Sequence, residues 1–297
     1  MAVCDVCFRH CEISEKGTGF CGARVCQDGK VTAGNYGRIT ALALDPIEKK
    51  PLNRFCPGSN ILSVGSYGCN LRCPFCQNHE ISWSEQAVSL AKTASFMTPE
   101  ELADAADSLR SRGNIGVAFT YNEPLIGYEF VRDAARLVKE KGMKNVIVTN
   151  GTAELHVLDE LLPYVDAMNI DLKGFTDRYY EEVLSGSRKM VMDFIEKAAC
   201  HCHVELTCLI VPGENDSEDE MREMTHWIAG LDGGAGAGAA GDSGDSGKNA
   251  GREIPLHISR FFPRFHMTDR PATDVETIYH LADVAREELK YVYTGNC

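Results

Sequence analysis

From residue 59 onward, short apolar runs alternate with stretches of helical pattern. The runs fall at 61–65, 115–121, 145–149, 166–172, 203–211 and 255–260, lengths that suit strands. Between and after them, helices are predicted at 98–112, 125–141, 153–162, 177–199, 217–229 and 273–289. Thr98 caps the first of these and Pro99 takes its first helical position. Six strand–helix units of this kind build a parallel sheet, so the expected class is α/β, a partial (β/α)6 TIM barrel. Residues 1–58 lack the pattern and read as a small Cys-rich N-terminal extension, followed by a barrel over 59–297. The segment 232–252 is rich in Gly, Ala, Ser and Asp and reads as a flexible low-complexity insertion with no catalytic role.

Within the strands, polarity alternates. Side chains two apart share a face, so Ala167, Asn169, Asp171 and Lys173 look one way while Met168, Ile170 and Leu172 look the other. His203, Glu205 and Thr207 likewise oppose Val204, Leu206 and Cys208, and His257 with Ser259 opposes Leu256 and Ile258. A barrel interior is ordinarily filled with branched apolar residues, so three polar files inside this one point to a bound, charged ligand. Chemistry in such folds collects at the C-terminal ends of the strands. There this chain places Tyr121-Asn122-Glu123-Pro124, Thr149-Asn150-Gly151 and Asp171-Leu172-Lys173.

The first strand runs into Gly68-Cys69-Asn70-Leu71-Arg72-Cys73-Pro74-Phe75-Cys76. Gly68 and Pro74 favour a loop, and the C-x3-C-x2-C spacing lets Cys69, Cys73 and Cys76 converge on one point. Structural zinc usually takes four Cys or His ligands, whereas a [4Fe–4S] cluster on three cysteines keeps one iron open to a small molecule. The plain alternative is three buried or zinc-binding cysteines. A second set, Cys4, Cys7, Cys11 and Cys21, is large enough for a closed site, either zinc or a second iron–sulfur cluster, with Cys26 as a spare. Cys200-His201-Cys202-His203 is not expected to bind metal, because alternation sends its cysteines and histidines to opposite faces.

Composition narrows the setting. The 297 residues are 44% hydrophobic and 25% charged, ordinary for a globular protein, and their formal charge of −13 argues against a nucleic-acid partner. No apolar run nears the ~18 residues of a membrane span and no leader pattern opens the chain, so a cytoplasmic location is expected. Thirteen cysteines, an odd number without secretion signals, suit metal binding better than disulfides.

The three-cysteine loop, with Phe75 before its last cysteine, resembles the signature of the radical S-adenosylmethionine (SAM) superfamily. The resemblance implies an enzyme in which SAM chelates the open iron and is cleaved by one electron to a hydrogen-abstracting 5′-deoxyadenosyl radical. It also implies that Phe75 lies against the adenine. Glu123 would accept from the SAM ammonium with Asn122 assisting, in a motif where Tyr121-Asn122 replaces the family's two glycines. Asp171 and Lys173 resemble the motif that holds a monovalent cation and SAM in glycyl-radical-enzyme activating enzymes, and Asn150 sits in their Thr-Asn-Gly turn. Val148 stands where those enzymes carry a cation-binding Asp, and His257 is placed as a SAM contact. The Cys-rich N-terminus and the block Asp45-Pro46-Ile47-Glu48-Lys49-Lys50-Pro51-Leu52 are similar to the radical SAM member of the AmmeMemoRadiSam system. Implied partners are SAM, an external electron donor such as flavodoxin or ferredoxin, and a small-molecule or protein substrate left unidentified. Two alternatives stand beside a generic radical SAM enzyme: activation of a glycyl radical enzyme at a backbone glycine, and a metal-binding scaffold without catalysis.

Overall fold

Each apolar run of the barrel becomes a strand of one sheet in the computed structural model, which describes residues 1–232 and 250–297. The strands are β1 (Ala41–Pro46), β2 (Asn60–Gly65), β3 (Asn114–Phe119), β4 (Lys144–Thr149), β5 (Ala167–Asp171), β6 (His203–Ile210), β7 (Leu256–Arg260) and β8 (Val292–Gly295). They lie side by side in chain order, with β1 and β8 as the two edges of an open sheet. From β2 to β8 every pairing is parallel, while β1 returns antiparallel on β2. Six helices follow β2 to β7: α1 (Pro99–Ser108), α2 (Tyr128–Glu140), α3 (Leu155–Leu161), α4 (Arg188–Ala199), α5 (Glu218–Ala229) and α6 (Val275–Arg286). The expected partial (β/α)6 barrel is therefore present, extended by one strand at each edge. Most of the 232–252 stretch lies outside the described residues.

The helices form where the sequence marks their starts. Thr98 accepts from the Glu101 amide at 3.2 Å and its own amide donates to the Glu101 carboxylate at 2.8 Å, a complete capping box for α1. Ser187 and Ser217 cap α4 and α5 in the same way through their hydroxyls. Beneath the helices, Met168, Ile170, Leu172, Leu206, Cys208 and Ile258 are fully buried. This is the apolar side of the alternation, and its removal from water supplies most of the stability.

The opposite face is closed at one mouth by the chain between β1 and β2. Ile47 and Leu52 pack on Ile61, Ala118, Val146 and Ala167, forming a small apolar layer inside the sheet's curve. The same segment is fixed by polar bonds: Asn169 donates to the Pro51 carbonyl at 2.8 Å, and the amides of Asn53 and Arg54 donate to Glu205 at 3.0 and 2.7 Å. Part of the polar file read from the sequence thus holds a plug rather than a ligand.

Helix prediction over 177–199 is broken in one place. A π turn at Tyr179–Val183 ends at Leu184, Ser185 takes a φ of 52°, and α4 begins only at Arg188. The freed carbonyls have partners elsewhere: Leu184 accepts from the Arg72 amide at 2.9 Å and Ser185 accepts from the Arg9 guanidinium. The break therefore ties β5's connection to the cysteine loop. Among the described residues, no helix is long and apolar enough to cross a membrane.

Candidate active site and its cysteine loop

The cysteine loop leaves β2 and is held by donors from all sides. Asn122 accepts from the Ser66 amide at 2.9 Å and donates to the Gly68 carbonyl at 3.2 Å, so its side chain is spent on the loop. The Glu123 amide also donates to the Gly68 carbonyl, at 3.2 Å. Asn70 donates to the Thr152 carbonyl at 2.7 Å, and Arg72 donates to the Cys69 and Leu71 carbonyls at 2.9 and 2.8 Å. Asn78 reaches back to the Tyr121 carbonyl at 2.8 Å. Such a dense set of side-chain to backbone bonds fixes a loop that has no ladder of its own.

Burial sets the chemistry of the three thiols. It pushes Cys73 up to about 12 and raises Cys69 well above the usual thiol range, with Glu123 and the other two cysteines adding to Cys69. Cys76 is raised by burial too. Thiols so placed stay protonated unless a cation supplies the missing counter-charge, which is what iron does on binding. Three thiols from one loop match the ligand number of a four-iron cluster that keeps one iron open, whereas structural zinc usually takes four Cys or His ligands.

Around these thiols stand most of the groups singled out in the sequence. Asn150 points its amide at Cys69 Sγ, 3.7 Å away, and at Asn70 Oδ1, 3.0 Å away. Glu123, only 3% exposed, accepts from Thr149 Oγ1 at 2.7 Å, the Asn150 amide at 2.8 Å and the Leu125 amide at 3.0 Å. Burial outweighs those bonds and raises its carboxyl to about 7. Three bonds leave one lone-pair position of the carboxylate free. Asp171 and Lys173 are paired at 2.7 Å on the same side. Burial alone would lower Lys173, but the Asp171 carboxylate overcomes it, so the lysine is firmly charged. Phe75 is buried and meets Phe261 edge to face at 6.0 Å between centroids.

His257 is placed differently. It shares a register row with Thr207 and Asp171, yet its Nε2 bonds Glu205 at 2.6 Å and its ring stacks on Tyr293 at 5.2 Å. Glu205 also takes His203 at 2.9 Å. Burial works to raise this carboxyl, but the two histidines and the Arg54 amide together hold it at about 2. His257 is thus engaged in a buried carboxylate–histidine group.

A second network escaped sequence reasoning. The Tyr121 hydroxyl donates to Asp45 at 2.9 Å, and Lys50, 4% exposed, pairs with the same carboxylate at 2.9 Å. Its ammonium also lies 4.8 Å from the centroid of the Tyr121 ring. The available signal was an acid and a base five apart in a segment that carries Ile47 and Leu52 inward. Tyr121 itself has a φ of 74°. A tyrosine thus adopts the left-handed conformation that suits the glycine of the related motif, and the turn survives the replacement.

An open parallel α/β barrel with a three-cysteine loop at the C-terminal end of its first parallel strand defines a class of cluster-bearing enzymes, and comparison with known proteins agrees. The profile of the radical SAM superfamily matches residues 63–225. The uncharacterized protein MJ0808 of Methanocaldococcus jannaschii is 39% identical over 296 residues, covering 99% of this chain and 80% of that protein. Pyruvate formate-lyase 1-activating enzyme of Escherichia coli is 27% identical over 160 residues, covering 53% of this chain and 63% of that enzyme. Streptococcus suis SuiB bound to S-adenosylmethionine shares the fold with a TM-score of 0.54 at 12% identity, over 78% of this chain and 48% of that one. The chain belongs to the radical SAM superfamily: it is an enzyme that uses a [4Fe–4S] cluster and SAM.

Proposed function

We propose that Cys69, Cys73 and Cys76 hold the [4Fe–4S] cluster and that SAM lies across the C-terminal ends of β3 to β5. The observation that carries this reading is the grouping of one buried and two half-buried thiols with Asn150, Glu123 and the Asp171–Lys173 pair. When bound, the cluster supplies one electron to the SAM sulfonium, breaking its bond to C5′ and releasing methionine and a 5′-deoxyadenosyl radical that takes hydrogen from a substrate.

The chain's own residues supply position and charge. The remaining lone-pair position of Glu123 receives the SAM ammonium, and a cation there draws the carboxyl down from about 7 into its ionised form. Lys173, kept charged by Asp171, meets the SAM carboxylate, and Phe75 offers an apolar face to the adenine. Asn122 acts indirectly by fixing the loop at Ser66 and Gly68. His257 supports the inner wall through Glu205 and touches SAM only if that bond is given up. An external one-electron donor such as flavodoxin or ferredoxin completes the reaction. Anaerobic incubation of the reconstituted protein with SAM and dithionite is expected to yield 5′-deoxyadenosine and methionine; absence of both with the cluster loaded and SAM bound would overturn the assignment.

The substrate class has two readings. The match to a pyruvate formate-lyase activating enzyme supports hydrogen abstraction from a backbone glycine of a protein partner. The Asp45–Leu52 block instead supports membership of the AmmeMemoRadiSam group; in this chain it also closes the barrel mouth and lends Asp45 and Lys50 to the interior. A glycyl radical signal on a candidate partner decides for the first, and turnover of a small molecule alone decides against it.

A further inference from the structure

The N-terminal hairpins carry a second set of thiols that the SAM chemistry does not use. Cys4, Cys7, Cys11 and Cys21 line one pocket together with Arg9, Arg24 and Ile126. The chain is shaped to bring them there. Strands Ala2–Val3 and Glu12–Ile13 pair antiparallel, the Cys4 amide donates to the Cys11 carbonyl at 3.0 Å, and the His10 amide donates to the Cys7 carbonyl at 3.2 Å. Cys21 enters from the next turn, where its sulfur accepts from the Arg24 amide at 3.4 Å. Cys26 faces Glu15 instead, at 3.8 Å, and is outside the set.

Two cations frame the pocket without neutralising it. Arg24 is 4% exposed and is fixed by Glu129 at 2.6 Å, and Arg9 lies over the Phe20 ring at 3.4 Å with its Nε on the Asn70 carbonyl at 2.9 Å. One buried guanidinium, paired with Glu129, and one half-buried guanidinium suit a net anion, which four thiolates around a metal centre would be. A pocket lined by four cysteines offers a closed set of four thiolates, and its place against the three-cysteine loop favours a redox-active cluster over zinc.

The pocket also adjoins the three-cysteine loop. The Cys69 amide donates to the Cys21 carbonyl at 3.1 Å, and Gly68 packs so closely that a β-carbon on it would meet the same Cys21 oxygen at 2.7 Å. Arg9 spans the two sites through Asn70, which lies next to Cys69.

We infer that Cys4, Cys7, Cys11 and Cys21 hold a second four-iron, four-sulfide cluster, closed by four thiolates and seated against the first. Each cysteine loses its proton as its sulfur binds iron, and the closed coordination leaves no iron for SAM. The four-thiolate site itself stands on the N-terminal residues alone; the choice of a cluster over zinc and its contact with the first rest on the reading of Cys69, Cys73 and Cys76 proposed above.

The test is anaerobic reconstitution of the full chain and of two variants, with iron, sulfide and zinc counted and electron paramagnetic resonance recorded after dithionite reduction. The variant C69A/C73A/C76A is expected to keep about four irons and a one-electron-reduced cluster signal while losing SAM binding, and C4A/C7A/C11A/C21A to keep about four, against about eight in the unaltered chain. The doubly loaded chain should give a broadened, faster-relaxing signal that is not the sum of the two variants. A folded C69A/C73A/C76A chain with zinc or no iron, or an unaltered chain with about four irons and one zinc, would overturn the inference while leaving the SAM site standing. If C4A/C7A/C11A/C21A fails to fold, the other variant and the unaltered chain still decide. An unaltered chain with about eight irons that does not cleave SAM would sink the proposed function and keep the second cluster.

Discussion

Tyr121 shows how one residue can replace a glycine and give the position a new task. Its left-handed φ of 74° costs roughly 1–3 kcal/mol in a non-glycine residue. The hydroxyl bond to Asp45 and the contact with Lys50 offset that cost by pinning the ring inside the barrel. Tyr121→Phe keeps the ring but removes a bond to a charged acceptor, so the urea midpoint should fall by the equivalent of about 1–2 kcal/mol; an unchanged midpoint would mean that the hydroxyl contributes nothing. Glu205 gives a second residue-scale test with a defined sign. Its folded value of about 2 lies below the ordinary 4.5, so its contribution is present above pH 4.5 and is lost as pH falls through 2. The shift amounts to about 3 kcal/mol. Glu205→Gln should be less stable than the unaltered chain at pH 6, and the gap should narrow in acid unfolding curves as the pH is lowered towards 3. A gap independent of pH would show that the carboxylate charge is not what the two histidines and the loop amides recognise.

At the scale of elements, the cysteine loop is organised by the segments that touch it. Gly68 has a φ of 95° and no room for a side chain against Cys21, Ala23 and Ile126. Gly68→Ala combines strain with collision, so iron loading should drop at the three-cysteine loop well before the rest of the chain unfolds; normal loading with normal SAM binding would contradict the close fit described here. How far this loop and its supports could be read from sequence depends on the range of the interactions. Strand alternation is local, and it identified Asn169, Glu205, Thr207 and His257 as an inward polar set. The cap at Thr98 and the cysteine spacing are local too. The helix break at Ser185 was not legible, because its cause is distant: carbonyls there are claimed by Arg9 and Arg72. The plug of Ile47 and Leu52 was hidden for the same reason, and so was the engagement of His257, whose partner Glu205 is fixed by the amides of Asn53 and Arg54. Edge strand β1 lies within 1–58, the stretch that reads as an extension, because its antiparallel return on β2 is a tertiary event.

For the molecule as a whole, the open sheet and the N-terminal hairpins meet along one seam. The Glu154 amide donates to the Val6 carbonyl at 2.9 Å, Arg24 pairs with Glu129 on α2, and Cys21 accepts from Cys69. The barrel alone therefore lacks part of the wall behind its own cysteine loop, and the N-terminal hairpins supply it. The function proposed for this chain rests on Cys69, Cys73 and Cys76 as the SAM-cleaving site. Its most direct test compares the reconstituted chain with C69A/C73A/C76A under anaerobic reduction with SAM, following 5′-deoxyadenosine and methionine. The unaltered chain is expected to give both products in equal amounts and the folded variant neither; nucleoside formation by the variant would contradict the assignment of the three cysteines.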